Sequence, residues 1–201
     1  MTEGWLWGLP GLILAISFHE FAHALVATKL GDPTPRLEGR LTLNPLAHLD
    51  PLGMLMLWVF RFGWARPVRV EPGHFRDPRT GMVLVALAGP GANLALAWAL
   101  LILMSALGLE RGNWLYLVFE YAVIYNVWLA VFNILPIPPL DGSRVLPLFL
   151  PREYGYRYYL FEQWGWVILL LLIASGLIRI FLDPLAMGAM RLIGWLAGGR
   201  I

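Results

Sequence analysis

The 201-residue chain has no cysteine. That excludes a disulfide framework and any thiolate metal site, so a metal here would have to be held by nitrogen and oxygen. Lysine is almost missing: Lys29 is the single one, and the net charge of +2 is arginine set against aspartate and glutamate. Charge of either sign is scarce, at 14% of residues against roughly 25% in ordinary soluble domains. No stretch is polar enough to form a separate soluble domain. The N-terminus lacks a basic region and a small-residue cleavage site, so its first apolar run is expected to be a retained helix. The few positive charges fall in loops between apolar runs, which points to setting of membrane orientation and against nucleic-acid binding.

What the chain does have is apolar bulk. It is 59% hydrophobic with a mean hydropathy of +0.66, and its ten tryptophans, ten phenylalanines and seven tyrosines suit anchoring at bilayer interfaces. These values predict an integral membrane protein, an all-α bundle of about four to six transmembrane or re-entrant helices. Residues 1–201 are expected to form a single transmembrane domain, with the lipid bilayer as its surroundings. Apolar runs long enough to span, about 20 residues, lie at Trp5–Leu30, Gly81–Leu107, Trp114–Leu135 and Gln163–Leu182. Pro51–Phe60 is half a span and reads as re-entrant or interfacial. Residues 61–80, "RFGWARPVRVEPGHFRDPRT", predict an extended segment or short hairpin at the membrane edge. The tail Pro184–Leu196 is suited to lying in the interface.

Positive charge is uneven. Lys29, Arg36, Arg40, Arg61, Arg66, Arg69, Arg76 and Arg79 cluster in 29–80, whereas the 108–113 loop holds Arg111 beside Glu110. The cluster is expected on the cytoplasmic side, with the N-terminus outside. Asp141 then falls on the same side as the C-terminal half of the first span.

Inside that first span stands "HEFAH". Histidines four apart share one helix face, so His19 and His23 can take adjacent corners of a tetrahedral zinc site. Glu20 is turned by roughly 100° from His19, onto the flank of that face, where it can reach a water on the metal without ligating the metal. Ionisable groups inside a bilayer cost about 2.5–3.5 kcal/mol each even on the gentler scales, so three of them in one span ask for a function. A third ligand is needed. His48 and His74 lie in loops and are compatible with ordinary solvated roles. Asp141 is the better candidate: in "NILPIPPLDGS" three prolines prevent regular helix and let the carboxylate bend back into the bundle, and Gly142 permits a tight turn beside it.

"HEFAH" in the first span, "ALAGPGAN" opening a middle span and "FNILPIPPLDG" closing the next together resemble the site-2 protease family of intramembrane zinc metalloproteases, over about Ala15 to Leu146. The resemblance implies one zinc ion held by His19, His23 and Asp141, with Glu20 as general base. It implies a substrate-holding or oxyanion-stabilising role for Asn133, and a packing and hydrogen-bonding role near the site for Asn93, a position that a plain small-residue helix contact would explain equally well. "GRLTLNPLAHLDPLG" resembles the short prokaryotic subgroup without PDZ or CBS domains, which puts His48 near the site with no assignable role. The implied substrates are transmembrane segments of other membrane proteins, cut in regulated proteolysis at a prokaryotic cell membrane, with the site open to the cytoplasm. Arg66, Pro67 and Val68, in "WARPV", are where an unwound substrate strand is expected to be clamped by β-addition. The competing reading is a membrane metal-binding or metal-transport protein using the same ligands, which would not need Glu20.

Overall fold

The structure, a computed structural model, describes residues 4–60, 63–151 and 155–199. Arg61 with the start of the 61–80 stretch, and 152–154 of the polar connection after the third span, lie outside the described residues. The helices are α1 (Gly4–Lys29), α2 (Thr34–Leu37), α3 (Pro51–Phe60), α4 (Pro78–Ala106), α5 (Trp114–Ile134), α6 (Leu146–Phe149), α7 (Gly155–Ala174) and α8 (Ile178–Leu196). Stretches within α1, α4 and α5 (Trp7–Lys29, Pro78–Ala106, Trp114–Ile134) are long and apolar enough to cross a membrane. The all-α membrane bundle expected from composition is what forms.

Local chemistry sets the ends of the spans. α1 stops at Gly31, which takes φ +107° while the Asp32 amide donates back to the carbonyl of Ala27 at 3.0 Å, so the last carbonyls are satisfied in a glycine-ended turn. α4 starts on Asp77, whose side chain accepts from the Arg79 amide and from Thr80 Oγ1, and Pro78 follows at the first helical position. α5 starts on Asn113, which accepts from the Leu115 amide at 2.9 Å.

α1, α4 and α5 pack against one another as the centre of the bundle. Glycines make the close approaches. A side chain at Gly11 of α1 would lie 2.5 Å from the Cα of Ala122 in α5, and one at Gly8 would meet the Tyr125 ring. Small residues of this kind let membrane helices touch backbone to backbone. The apolar core joins Val123, Val127 and Val131 of α5 to Leu182, Ala186 and Ile193 of α8. Leu84, Leu87, Trp98, Ile102 and Leu103 of α4 are exposed, an outward apolar face suited to lipid.

Two expectations are corrected. The sequence predicts a final span at Gln163–Leu182, but the helix breaks at Ser175–Leu177, where Gly176 takes φ +74°. The segments Leu160–Ala174 and Ile178–Leu196 meet at 81°, which makes them a broken span or a re-entrant loop. The hairpin drawn within 61–80 does not form among the described residues. The extended segment pairs with the preceding loop instead, through an isolated antiparallel bridge between Leu49 and Ala65. Gly53 and Gly63 allow that approach: a side chain on either would run into the backbone of Trp64 or Gly53.

Candidate metal centre

Two helical turns and one broken connection build the site. His19 and His23 sit one turn apart on α1 and are 5% and 7% exposed. Asp141 opens a short 3-10 turn, Asp141–Val145, after the irregular stretch that ends α5. Gly142 lies so close to the carbonyl of Ile134 that a side chain there would overlap it, so glycine lets the chain fold back along α5 and carry the aspartate inward.

The donor atoms converge. His19 Nε2 and His23 Nε2 are 3.0 Å apart, and Asp141 Oδ2 is 3.0 Å from the first and 3.2 Å from the second. Their other partners fix the tautomers. His19 Nδ1–H donates to Asn93 Oδ1 at 2.6 Å, and His23 Nδ1–H donates to the Val85 carbonyl at 2.7 Å. Neutral rings so held present bare lone pairs at both Nε2 atoms. Two lone pairs and a carboxylate oxygen within about 3 Å repel one another unless a cation lies among them. Ligands at about 2.0–2.1 Å from a tetrahedral zinc would stand roughly 3.3 Å apart, close to the spacing here. The residues fit a zinc ion. Among the described residues this is the one such cluster of metal-ligating side chains.

The outer partners come from α4. Asn93 is fully buried, and its Nδ2 donates to the Ala15 carbonyl at 2.9 Å and to Asn126 Oδ1 at 2.8 Å. Asn126 in turn donates to the Ala122 carbonyl. Such partners orient metal-binding imidazoles. Gly89 passes directly over the histidines: a side chain there would lie 2.5 Å from His23 Nε2 and 2.7 Å from His19 Nε2. The "AGPGAN" motif thus brings α4 against the site with its glycine and holds His19 with its asparagine.

Glu20 is half-buried beside the cluster, and its Oε2 accepts the Val68 amide at 3.1 Å. Arg66 donates its amide to the His48 carbonyl at 2.8 Å, and Pro67 lies between these two anchored residues. His48 is fully buried; its Nε2–H donates to the Thr42 carbonyl and its Nδ1 has no partner. It braces the 42–48 loop and is not in the metal cluster. Asn133 donates its amide to Leu129 on its own helix, 3.0 Å away.

The sequence reading missed three polar residues. Asn126 was visible as an amide inside an apolar span. Arg40, 3% exposed, reaches the carbonyls of Ala47 and Arg66. Asp32, fully buried, accepts the amides of Thr34 and Glu71 and pairs with His74. Burial pushes the Asp32 carboxyl up, but the bonds from Thr34, Glu71 and His74 outweigh it and hold its pKa below the ordinary value.

A helical membrane bundle that brings two imidazoles of one span and a carboxylate from the turn after another to one point, with a second carboxylate alongside, is a membrane metalloenzyme in design. Comparison with known proteins gives the family. YwhC of Bacillus subtilis is 41% identical over 181 residues, covering 87% of this chain and 83% of the relative. Rip2 of Mycolicibacterium smegmatis is 33% identical over 187 residues, covering 87% and 70%. MJ0611 of Methanocaldococcus jannaschii is 37% identical over 131 residues, covering 64% and 63%. All three carry zinc metalloprotease in their names. This chain belongs to that zinc metalloprotease family. No protein-family model and no solved structure matches it.

Proposed function

We propose that the chain is an intramembrane endopeptidase of the site-2 protease type, hydrolysing peptide bonds in or near transmembrane segments of other membrane proteins in regulated proteolysis. The observation that carries this is the meeting of His19, His23 and Asp141 donor atoms between spanning helices, with Glu20 beside them and not among them. His19, His23 and Asp141 hold the zinc. When bound, zinc supplies the Lewis acid that polarises the scissile carbonyl and brings the hydrolytic water into the neutral pKa range.

Glu20 does the proton work. Its Oε2 is occupied by the Val68 amide, which leaves Oε1 to take a proton from the attacking water. Water oxygen bonds to the carbonyl carbon, the C–N bond breaks, and Glu20 returns the proton to the leaving amine. Asn133 contacts the opened substrate or its oxyanion once its bond to Leu129 is released. Arg66, Pro67 and Val68 offer a backbone edge to an unwound substrate strand. The whole of 1–201 acts as one transmembrane domain, in a prokaryotic cell membrane, with the site reached by water from the cytoplasmic side.

The test is cleavage of a model transmembrane substrate by purified protein in detergent, comparing wild type with Glu20→Gln and measuring zinc in both. Cleavage by wild type alone, with equal zinc, supports the proposal. Equal zinc and no cleavage by either, across a panel of substrates, favours a metal-binding protein without peptidase activity.

A further inference from the structure

Where the 40–49 loop meets the 63–68 segment, one backbone donor of the expected ladder is missing. Leu49 bridges Ala65, and the Arg66 amide donates to the His48 carbonyl at 2.8 Å. That bond makes His48 and Arg66 a hydrogen-bonded pair, and such pairs in an antiparallel ladder exchange both bonds, so the Arg66 carbonyl should accept from the His48 amide. That amide is committed to the Pro45 carbonyl, 2.9 Å away in the Pro45–Ala47 turn. The guanidinium of Arg40 takes its place: one terminal nitrogen donates to the Arg66 carbonyl and the other to that of Ala47. The Arg40 amide is tied to the Pro35 carbonyl at 2.8 Å, so the stem is fixed as well as the head.

Arg40 is buried and both its acceptors are neutral, an expensive way to satisfy two carbonyls. Its position relative to the site gives a reason. In an extended strand, amides two residues apart point to the same edge, and two residues beyond Arg66 the Val68 amide meets Glu20. Burial lowers the Arg40 pKa, and the charge that opposes this most is the Glu20 carboxylate.

We propose that Arg40 is a positioning residue: it stands in for the missing ladder donor and fixes the 66–68 strand against Glu20, so that the opposite edge meets substrate in one register. This rests on the reading of 66–68 as the strand that pairs with substrate. Without Arg40 the Arg66 carbonyl loses its side-chain donor, and the strand keeps the Arg66 amide bond to His48 and the Val68 amide bond to Glu20 but not the bond that fixes the Arg66 carbonyl between them. Lysine would keep the charge but lacks the planar fork that reaches two carbonyls.

The absence of cysteine makes a direct test available. Leu49 and Ala65 form a non-hydrogen-bonded pair, whose Cα atoms lie at about 4.5 Å in such ladders, within disulfide range. Leu49→Cys/Ala65→Cys is compared with Arg40 present, with Arg40→Gln and with Arg40→Lys, following rate of disulfide formation, zinc content, and KM and kcat on a transmembrane substrate. Both Arg40 variants are expected to keep zinc, to form the disulfide more slowly, and to raise KM by about tenfold, as loss of a charged hydrogen bond implies. Oxidation should restore KM, and reduction should undo the rescue. Unchanged disulfide rates in folded, zinc-loaded variants overturn the proposal, and so does a completed disulfide that leaves KM raised. If the Arg40-containing protein cuts nothing, the protease reading fails separately, and the disulfide rates still decide whether Arg40 holds the strand.

Discussion

Asn93 accepts the Nδ1–H of His19 at 2.6 Å, from a position 74 residues further along the chain. That bond ties the first span to the second at the metal centre, and it gives His19 its tautomer. Replacing Asn93 with alanine is expected to weaken zinc binding by about 10–100-fold, the usual consequence of losing such a partner. Chelator competition at constant pH measures it. Unchanged affinity would mean that the ring is oriented by packing alone.

Two glycines of one motif should behave oppositely. Gly89→Ala puts a methyl 2.5 Å from His23 Nε2, whereas a methyl at Gly91 meets nothing within 4 Å. Gly89→Ala is expected to cost about 1–3 kcal/mol by overpacking and to lower zinc occupancy. Gly91→Ala should raise stability by about 0.5–1 kcal/mol through helix propensity. Thermal unfolding and metal analysis of the two variants check both signs.

Metal removal should destabilise the fold and not only silence the enzyme. The three donor atoms lie within 3.2 Å of one another, so without a cation among them they must move apart or take up a proton. Chelated protein is expected to melt at lower temperature, by an amount equivalent to about 4 kcal/mol if zinc had been present at a thousand times its dissociation constant. Added Zn2+ should restore it and Mg2+ should not, since the imidazole pair is a poor site for so hard a cation. Equal melting of the stripped and loaded forms would count against the site.

Asp32 makes the loop acid-sensitive. Its folded pKa lies below the ordinary value, so its contribution is complete above about pH 3.9 and is lost as the pH falls through the folded value. Asp32→Asn should be less stable than wild type at neutral pH, and the gap should narrow below about pH 4. Melting curves across that range show it. A gap independent of pH would mean that the bonds to Thr34, Glu71 and His74 do not depend on the charge.

The parts of the molecule legible in the sequence are those that a local period dictates. The i, i+4 histidines share a face because α1 is a helix, and the proline-rich approach to Asp141 could not be one. The break at Ser175–Leu177 was missed because the apolar run continues across it, and only the Ser-Gly pair marks the turn. The pairing of 65–66 with 48–49, the burial of Arg40 and His48 against it, and that of Asp32 against Glu71 and His74 follow from long-range contacts that leave no periodic trace. A basic loop in sequence became a braced polar core in space.

Pro67 has no amide hydrogen. The residue before Val68 therefore has nothing to offer Glu20, and the carboxylate can recognise one position of the strand but not its neighbour. A slip that brought Pro67 opposite Glu20, which in a β-pairing would turn every side chain to the wrong face, would thus lose this bond. The proline works as a stop on a sliding scale: it sets where the 66–68 strand sits against Glu20, and in the proposed protease it would set from where along that strand a substrate backbone is measured.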